Sequence, residues 1–255
     1  MEKLIYNIFN KIFMNEVEKE LLNYFGEEKN KIIFDVGCFR GNFTRNIIKY
    51  ESKKGIRSDF FLFDPNPKVK DYLSSLLKEN NVKCFNIAFD NSNSKKKFTL
   101  NQYFEASGSS LVSLHKEDKL YNFTRKSFMK IFQPFKKIKD YVEIDVQTKT
   151  IDIFCEENKI NYIHLLKLDT EGNEFNILKG AENLLSKNKI KLIYTEICSN
   201  KKDYDNKAIE IKNFLKKYNF EHIKSYKIPT LGFLSKLKAT DDLFVYKEMD
   251  CGKRD

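Results

Sequence analysis

The apolar residues of the chain fall into two alternating kinds of stretch. Short, nearly continuous apolar runs predict strands that are covered on both faces, and stretches with apolar residues three or four positions apart predict helices. The predicted strands are residues 32–36, 59–63, 82–89, 164–168, 190–197, 220–228 and 242–247, and the predicted helices are residues 42–50, 68–78, 151–158, 174–187 and 207–218. This order predicts an α/β fold with a doubly wound, mostly parallel, seven-stranded sheet.

Two other stretches alternate apolar and polar residues, which predicts half-buried strands. They cover residues 95–100 and 141–148, and we expect them to be antiparallel additions at the edge of the sheet. The insertion between them, residues 101–140, fits no sheet unit, and its residues 116–139 hold eight Lys or Arg against two acids, with Phe residues interleaved. This basic segment is either a lid or acceptor-binding element, or an amphipathic helix that packs its Phe residues on the body of the domain.

The length of 255 residues is enough for one large domain with a sizeable core. We expect a domain of residues 31–248 that contains the insertion 101–140, with N-terminal helices in residues 1–30 that pack on it and a tail of residues 249–255. A helix on a membrane surface is the alternative for the N-terminal segment. The sequence has no apolar run of about 18 residues and no signal-peptide pattern, so we predict no membrane span.

Composition and charge narrow the class of protein only in part. The five cysteines are dispersed without a C-x-x-C pair, which favours free thiols in a reducing cytoplasm over disulfides or a zinc site. The three histidines are too widely spread to indicate a metal cluster. The formal net charge of +10 fits a nucleic acid, an acidic membrane surface or an anionic substrate, so charge alone selects none of them.

A glycine-rich turn follows the first predicted strand and comes just before the first predicted helix. Its pattern is Asp35-x-Gly37-x-x-x-Gly41. Glycines at this point let the backbone approach a ligand closely, and the helix start supplies unpaired N–H groups. The spacing differs from the dinucleotide fingerprint G-x-G-x-x-G and fits better a loop that holds S-adenosylmethionine. An ordinary turn after a strand is the alternative interpretation.

Carboxylates occur at the carboxyl ends of three later strands. Asp64 ends the second strand, Asp169 and Glu171 follow the fourth, and Glu196 lies at the end of the fifth. The carboxyl ends of parallel strands meet at one edge of a sheet, so we expect these side chains to face a shared pocket. There Asp64 is expected to bind ribose hydroxyls, and the others to act as a general base, hold a cation or bind an acceptor hydroxyl. Turn and helix-capping roles are the alternatives.

Taken together, these stretches resemble the FkbM family of S-adenosylmethionine-dependent methyltransferases over roughly residues 31–197. The matching pieces are Phe34-Asp35-Val36-Gly37 with Gly41, Phe63-Asp64-Pro65-Asn66-Pro67, Asn86-x-Ala88, Ser109-Ser110-Leu111, Thr148-x-x-x-Asp152, Leu166-Lys167-Leu168-Asp169-Thr170-Glu171-Gly172-Asn173-Glu174 with Leu178-Lys179-Gly180-Ala181, and Glu196. The chain departs from the family at Cys38-Phe39-Arg40, where a small Ala-Asn pair is usual, and at Asp64, where Glu is usual. Residues 112–140 match no family pattern, so the resemblance does not identify the acceptor.

The resemblance implies a Rossmann-like methyltransferase fold and methyl transfer from S-adenosylmethionine to a hydroxyl oxygen of a sugar or another small metabolite, with S-adenosylhomocysteine as product. The expected cofactor contacts are Asp35, Gly37, Cys38, Gly41, Asn42, Asp64, Pro65, Asn86, Ala88, Ser109 and Asp169. The candidates for the general base are Asp169 first, and then Glu171, Glu196 and His115. A divalent cation held by Asp169 and Glu196 is left open, and no metal ligand is assigned.

The nature of the acceptor is predicted from the insertion and the composition. The basic residues of segment 116–139 favour an anionic acceptor, such as a phosphorylated, phosphoramidate-bearing or nucleotide-linked sugar. The Asn- and Lys-rich composition suits a bacterial enzyme of capsule or surface-glycan biosynthesis. An RNA or DNA methyltransferase is one alternative, although the Asn/Asp-Pro-Pro-Tyr/Phe signature is absent, and a non-catalytic nucleotide-binding protein is another. The sequence leaves monomer and homodimer both open.

Overall fold

Strands form two separate sheets in the part of the chain that the structure describes. The computed structural model describes residues 20, 21, 24, 28–79, 81–101, 109–112, 141–227 and 237–248. The strands are β1 Ile32–Val36, β2 Asp59–Phe63, β3 Val82–Phe85, β4 Ala88–Phe89, β5 Ser94–Asn101, β6 Tyr141–Lys149, β7 Ile163–Leu168, β8 Ile190–Asn200, β9 Phe220–Lys227 and β10 Leu237–Tyr246. A seven-stranded sheet has the order β3-β2-β1-β7-β8-β10-β9, and a three-stranded sheet has the order β4-β6-β5.

The large sheet is mostly parallel and doubly wound, as predicted. β1 pairs in parallel with β2 and with β7, and β3 and β8 extend the parallel sheet on either side. β10 is antiparallel to both β8 and β9. The chain moves outward from β1 first to β2 and later to β7, so the strand order reverses between β1 and β7. Open α/β sheets bind ligands outside the carboxyl ends of the strands at such a point.

Helices connect these strands and cover both faces of the large sheet. They are α1 Asn42–Lys54, α2 Val69–Tyr72, α3 Ile151–Glu157, α4 Glu174–Lys179, α5 Glu182–Ser186 and α6 Tyr204–Lys216, with a 3₁₀ turn at Leu76–Lys78. Gly41 precedes α1 and Gly55 follows it, and their φ angles of 69° and 64° lie in the left-handed region. Glycine adopts this region without steric cost, so these two residues set the limits of α1.

Two apolar clusters form the core, one on each face of the large sheet. Phe34 of β1 and Phe63 of β2 pack with Phe154 of α3 on one face, and the ring centroids of Phe34 and Phe63 are 5.0 Å apart. Ile33 and Leu62, their neighbours in sequence, pack on the other face with α1. Successive residues of a strand point to opposite faces, so burial of both sets explains the nearly continuous apolar runs.

The predicted strand 82–89 is wrong as a single element. β3 ends early, and β4 belongs to the small sheet, where it pairs with β6. Between β3 and β4, the side-chain amide of Asn86 donates hydrogen bonds to the carbonyl oxygens of Asp64 (3.2 Å) and Asn66 (3.1 Å). These bonds fasten the chain to the loop after β2 and turn it out of the large sheet.

The two strands predicted at residues 95–100 and 141–148 are present as β5 and β6, which pair with each other in antiparallel fashion. Their expected place at the edge of the large sheet is wrong, since β6 pairs with β4 instead. The small sheet has an apolar cluster of its own, in which Phe98 and Val146 pack with Ala88. The apolar residues of β5 and β6 therefore pack in a cluster of the small sheet and not against the edge of the large sheet.

Two helices predicted as single elements, at residues 68–78 and 174–187, are interrupted. The first divides into α2 and the 3₁₀ turn, and the second divides into α4 and α5 at Gly180. A Cβ atom on Gly180 would lie 2.2 Å from the carbonyl oxygen of Asp90, a separation that only glycine allows. The helix is therefore interrupted at the point where Gly180 packs closely against the backbone of Asp90.

Three predicted segments lie wholly or largely outside the described residues, namely the N-terminal helices of residues 1–30, the insertion 101–140 and the tail 249–255. The division of the chain into these parts therefore stays a prediction. Within the described residues, no helix combines the length and the apolar character that a membrane crossing requires. The cysteines in the described part of the chain, at positions 38, 84, 155 and 198, are free thiols.

Candidate active site

A cleft opens at the carboxyl ends of β1, β2 and β7, where the strand order reverses. The predicted site residues that line it are Gly37, Cys38, Asn42, Asp64, Pro65, Ala88, Ser109, Asp169 and Glu171. Asp64 and Asp169 thus open onto the same cleft, as expected for carboxylates at the ends of parallel strands. Further residues with polar side chains line the cleft without having been assigned to the site from the sequence, among them Arg40, Lys167, Tyr194 and Asp241.

Three of the predicted cofactor contacts, Asp35, Gly41 and Asn86, lie outside the wall of the cleft. Asn86 holds the loop of Asp64 through the bonds described above. The backbone N–H of Gly41 donates to the carbonyl oxygen of Cys38 at 2.7 Å and closes the glycine turn. Asp35 belongs to β1, and its side chain is buried. Each of the three therefore supports residues that line the cleft.

Backbone packing fixes the glycine turn after β1. The N–H groups of Gly37 and Cys38 donate to the carbonyl oxygen of Phe63, at 2.9 and 3.2 Å. The φ angle of Gly37 is 77°, and a Cβ atom there would lie 1.8 Å from the carbonyl oxygen of Asp169. Glycine is therefore required both by conformation and by space. The turn is held between β2 and β7, and its backbone borders the cleft.

Asp64 joins the loop after β1 to the loop after β2. Its carboxylate accepts hydrogen bonds from the backbone N–H groups of Phe39 (3.0 Å) and Asn66 (2.9 Å). Burial raises the pKa of Asp64 to about 6, although these two bonds act in the opposite direction. Each carboxylate oxygen accepts from one backbone donor, which leaves acceptor capacity for the hydroxyl groups of a ligand.

Lys167 connects two carboxylates beneath and beside the cleft. Its ammonium group lies 3.0 Å from Oδ1 of Asp35 and 3.3 Å from Oδ2 of Asp169. Asp35 also accepts a hydrogen bond from the hydroxyl of Thr44 at 2.8 Å. Burial lowers the pKa of Lys167, but Asp35 and Asp169 outweigh it and raise that pKa above its usual value. Lys167 therefore stays charged and fixes the position of the Asp169 side chain.

Glu174 organises the loop that carries Asp169 and Glu171. Its Oε1 atom accepts hydrogen bonds from the N–H (3.0 Å) and the hydroxyl (2.9 Å) of Thr170 and from the N–H of Gly172 (2.9 Å). Glu174 itself is fully buried, at 0% exposure, so the three bonds are made to an acceptor inside the protein. Glu174 belongs to the matching family block, but its role as an internal support is visible only in the structure.

The same loop is fastened to the small sheet. The side-chain amide of Asn173 donates a hydrogen bond to the carbonyl oxygen of Phe89 at 3.0 Å. The hydroxyl of Ser110 donates to the carbonyl oxygen of Glu171 at 3.1 Å. Two hydrogen bonds therefore anchor the loop after β7, one to β4 and one to Ser110.

Burial raises the pKa values of the carboxyl groups around this loop. The pKa of Asp169 is raised by burial, and Lys167 partly opposes this shift while Glu171 adds to it. Burial, with a smaller contribution from Asp169, raises the pKa of Asp241 to about 7. The pKa of Glu196 lies well above its usual value, through burial and then the charges of Glu171 and Asp169. A bound proton or a nearby cationic ligand stabilises carboxyl groups in such surroundings.

Glu196 lies outside the wall of the cleft and is buried. Its side chain is grouped with those of Glu171 and Cys198, and the ligand atoms of the three lie within 4.8 Å of one another. Asp169, the other residue expected to hold a cation, is not part of this group. The remaining candidate for the general base, His115, lies outside the described residues.

Of the lining residues not assigned from the sequence, Lys167 could have been found from its spacing to Asp169, whereas Asp241 could not. Lys167 precedes Asp169 by two positions, and the two-residue period of a strand places both on the same side of the chain. Asp241 is opposite Glu196 in the pairing of β8 with β10. The predicted strand 242–247 begins after Asp241, so the sequence placed this residue in a connection.

The strand order of the large sheet, with a cleft at its switch point, is that of a Rossmann-like methyltransferase fold. Most of the sequence, from residue 35 to residue 222, matches the Methyltransferase FkbM domain. The chain belongs to the FkbM methyltransferase family. The family expected from the sequence, one of methyltransferases, is therefore confirmed.

Known proteins similar to the chain include the 2-O-methyltransferase NoeI of Sinorhizobium fredii, with 24% identity over 187 residues. That match covers 67% of this chain and 64% of NoeI, so the chain spans less than two thirds of the relative's length. The N-methyltransferase NodS from Bradyrhizobium japonicum WM9 superposes with a TM-score of 0.44 and 8% identity over 94% of this chain and 99% of NodS. TYW2 of M. jannaschii, solved in complex with AdoMet, gives a TM-score of 0.36 and 17% identity over 91% and 75% of the two chains.

Proposed function

We propose that the chain is an O-methyltransferase, which methylates a hydroxyl group of a small, anionic, sugar-type acceptor bound in the cleft. The observation that carries this function is that Asp64 and Asp169 open onto one cleft beside the glycine turn of Gly37. One carboxylate is then available for the methyl donor and the other for the acceptor. The family membership supplies the class of reaction, and the cleft supplies the residues for it.

The donor side of the cleft is formed by the loops after β1 and β2. Asp64 binds the ribose hydroxyls, because its carboxylate keeps acceptor capacity beyond its two backbone bonds. The backbone at Gly37 and Cys38 approaches the donor closely, as glycine permits. Asn42 lines the cleft at the start of α1, where unpaired N–H groups favour the carboxylate of the donor's methionine part.

The acceptor side of the cleft is formed by the loop after β7. S-adenosylmethionine supplies a methyl carbon on a positively charged sulfur, so a bond from the acceptor oxygen forms while the carbon–sulfur bond breaks and its electron pair stays on sulfur. Asp169 removes the proton of the acceptor hydroxyl, and its raised pKa makes it a stronger base than an ordinary Asp. Lys167 holds that carboxylate in place from 3.3 Å away. Much of the rate then comes from holding the reacting atoms in line.

The acceptor is proposed from a relative and from the sequence. NoeI, the 24% identical relative, is a 2-O-methyltransferase, which supports oxygen as the atom methylated. The eight basic residues of segment 116–139 support a negative charge on the acceptor, such as a phosphate, a phosphoramidate or a nucleotide. A precursor of a bacterial capsule or other surface glycan is an acceptor of this kind.

The test measures transfer of a radiolabelled methyl group from S-adenosylmethionine to candidate acceptors. We expect label on nucleotide-linked or phosphorylated sugars and none on RNA or DNA oligonucleotides. The Asp169→Asn variant should lower kcat by about 100-fold or more while it leaves the Kd of S-adenosylhomocysteine within a few fold. The matched Asp64→Asn variant should instead raise that Kd.

The outcomes separate the alternatives. Label on an oligonucleotide supports the RNA or DNA methyltransferase, and donor binding without transfer to any acceptor class supports a non-catalytic nucleotide-binding protein. Absence of S-adenosylhomocysteine binding in calorimetry overturns the proposal altogether. The negative charge of the acceptor is tested by Lys136→Glu together with Lys137→Glu, which should raise the KM of an anionic sugar, and an unchanged KM rejects that part.

A further inference from the structure

Three side chains with metal-binding atoms converge next to the cleft, two from β8 and one from the loop after β7. Carboxylate oxygens of Glu171 and Glu196 and the sulfur of Cys198 lie within 4.8 Å of one another. Glu196 and Cys198 are two positions apart on β8, so the strand period directs both to the same face. Glu171 comes from the neighbouring strand's loop, where Glu174 fixes the backbone. The three ligands are thus supplied by two adjacent strands.

The carboxylate of Glu196 lacks a partner among the described residues. Only 9% of Glu196 is exposed, and its buried Oε2 atom has no hydrogen-bond donor among these residues. A desolvated carboxylate oxygen without a donor is costly, so a ligand that supplies positive charge at this point stabilises it. Cys198 is buried as well and carries a free thiol. The unpartnered Oε2 atom of Glu196 is thus a second indication of a bound cation, besides the clustering of the three side chains.

The lysines of the region are engaged elsewhere. Lys207 donates hydrogen bonds to the carbonyl oxygens of Gly172 (2.7 Å) and Cys198 (2.9 Å), and its nearest carboxylate is that of Glu174 at 3.6 Å. Lys167 is held by Asp35 and Asp169. Within the described residues, the carboxylate of Glu196 is therefore not paired with either of these lysines.

We propose that Glu171, Glu196 and Cys198 form a binding site for one transition-metal ion of the Zn²⁺ type. A thiolate with two carboxylates suits Zn²⁺ or Co²⁺, whereas Mg²⁺ and Ca²⁺ take oxygen ligands only. Binding forms a metal–sulfur bond and releases the thiol proton of Cys198 to solvent, and a water molecule completes a four-coordinate site. The ion neutralises the two carboxylates, of which that of Glu196 is buried, and fixes Glu171 at the rim of the cleft.

This site is independent of the proposed acceptor chemistry. It is also not visible in the spacing of cysteines and histidines, because Glu171 lies far from Cys198 in the sequence and only the pairing of β7 with β8 brings their segments together.

The experiment uses the full chain, stripped of metal with a chelator and then titrated with Co²⁺. We expect one Co²⁺ per chain and a thiolate-to-cobalt charge-transfer band in the near ultraviolet. Cys198→Ala should abolish the band, while the matched control Cys155→Ala, another buried free cysteine, should keep it. Glu196→Gln should weaken binding of Co²⁺ and Zn²⁺ by at least about tenfold, since it removes one charged ligand.

Circular dichroism of each variant establishes that it is folded, and Glu196→Gln serves as the decisive variant if Cys198→Ala does not fold. Absence of the band in the wild-type chain overturns the proposal. So does a band that survives in Cys198→Ala, or an affinity that Glu196→Gln leaves unchanged. None of these measurements requires methyl transfer, so failure of the proposed function and failure of the metal site are distinguished.

Discussion

The ammonium group of Lys167 lies 3.0 Å from Oδ1 of Asp35, and both side chains are more than nine-tenths buried. The other oxygen of Asp35 accepts a hydrogen bond from Thr44, so the carboxylate is held on two sides. Lys167 in turn lies 3.3 Å from the carboxylate of Asp169. The buried ion pair of Lys167 and Asp35 thus sets the position of Asp169, the candidate general base. Asp35 itself does not line the cleft.

Replacing the lysine tests this arrangement. Lys167→Met should lower the free energy of unfolding by about 3 kcal/mol, because it leaves the buried carboxylate of Asp35 without its cation. Urea denaturation measures the change. The double variant Lys167→Met with Asp35→Asn should cost less than the sum of the two single variants, since the second change removes the unpaired charge. The exposed pair of Lys97 and Asp145 offers the control, and Lys97→Met should leave the urea midpoint unchanged.

A second prediction concerns the glycine turn. Gly37→Ala should cost about 3 kcal/mol and abolish donor binding, because the new Cβ atom collides with the carbonyl oxygen of Asp169 and the backbone is in the left-handed region. Gly55→Ala is a matched control, since its φ angle of 64° is similar but no atom lies within 4 Å of the added Cβ. It should cost only about 1 kcal/mol and leave the Kd of S-adenosylhomocysteine unchanged. Equal effects of the two variants on binding contradict the close approach.

Donor binding should depend on pH through Asp64. The pKa of this carboxyl is raised to about 6, and ribose hydroxyls donate hydrogen bonds better to its ionised form. The affinity for S-adenosylhomocysteine should therefore rise as the pH is increased from 5 to 7 and level off above. Calorimetry at several pH values measures this, and Asp64→Asn should bind more weakly with a flatter profile. A wild-type affinity that is constant across this range rejects the ribose role of Asp64.

Stability of the ligand-free chain should fall as the pH rises through the same region. Asp241 has a pKa of about 7 in the folded chain, against an ordinary value of 3.8, so between these values the folded state keeps a proton that the unfolded state has lost. Each increase in pH over this window therefore favours unfolding. Thermal unfolding from pH 4 to 8 should show the decline, and Asp241→Asn should flatten it. A decline of equal size in the variant contradicts this assignment.

The loop after β7 should depend on the acceptor oxygen of Glu174. Glu174→Ala removes the shared acceptor of three partly buried donors and should lower the free energy of unfolding by about 3 kcal/mol. Glu174→Gln keeps one oxygen for those donors and should cost about 1 kcal/mol. Denaturant unfolding compares the two variants. If the Gln variant is as unstable as the Ala variant, the charge of Glu174 matters more than its three hydrogen bonds.

Much of the large sheet could be predicted because its strands are buried on both faces. The runs around Phe34 and Phe60 are apolar for this reason, and their lengths and ends agree with β1 and β2. The position of Asp64 and Asp169 in one cleft also follows from the sequence, because parallel strands end at a common edge. These inferences depend on periodicity and on chain direction, which the sequence contains.

Other features depend on contacts between distant segments and could not be read from local patterns. The end of β3 is caused by the side chain of Asn86, which bonds to a loop some twenty residues earlier. The presence of Asp241 in the cleft depends on the antiparallel register of β10 beside β8. Glu171 and Cys198 come together only through strand pairing. In each case the deciding partner is remote in sequence, so no window of neighbouring residues contains it.

The attachment of the loop after β7 to the small sheet has a consequence for specificity. Asn173 bonds to Phe89, and Gly180 packs against Asp90, so the end of β4 is anchored to the segment that presents Asp169. β5 and β6, the strands on either side of residues 102–140, are therefore attached through β4 to the loop after β7. We expect that an exchange of residues 113–140 alone, which keeps Ser109 and Leu111 of the cleft and the Ser110 bond to Glu171, changes the preference for the acceptor and leaves donor binding unchanged.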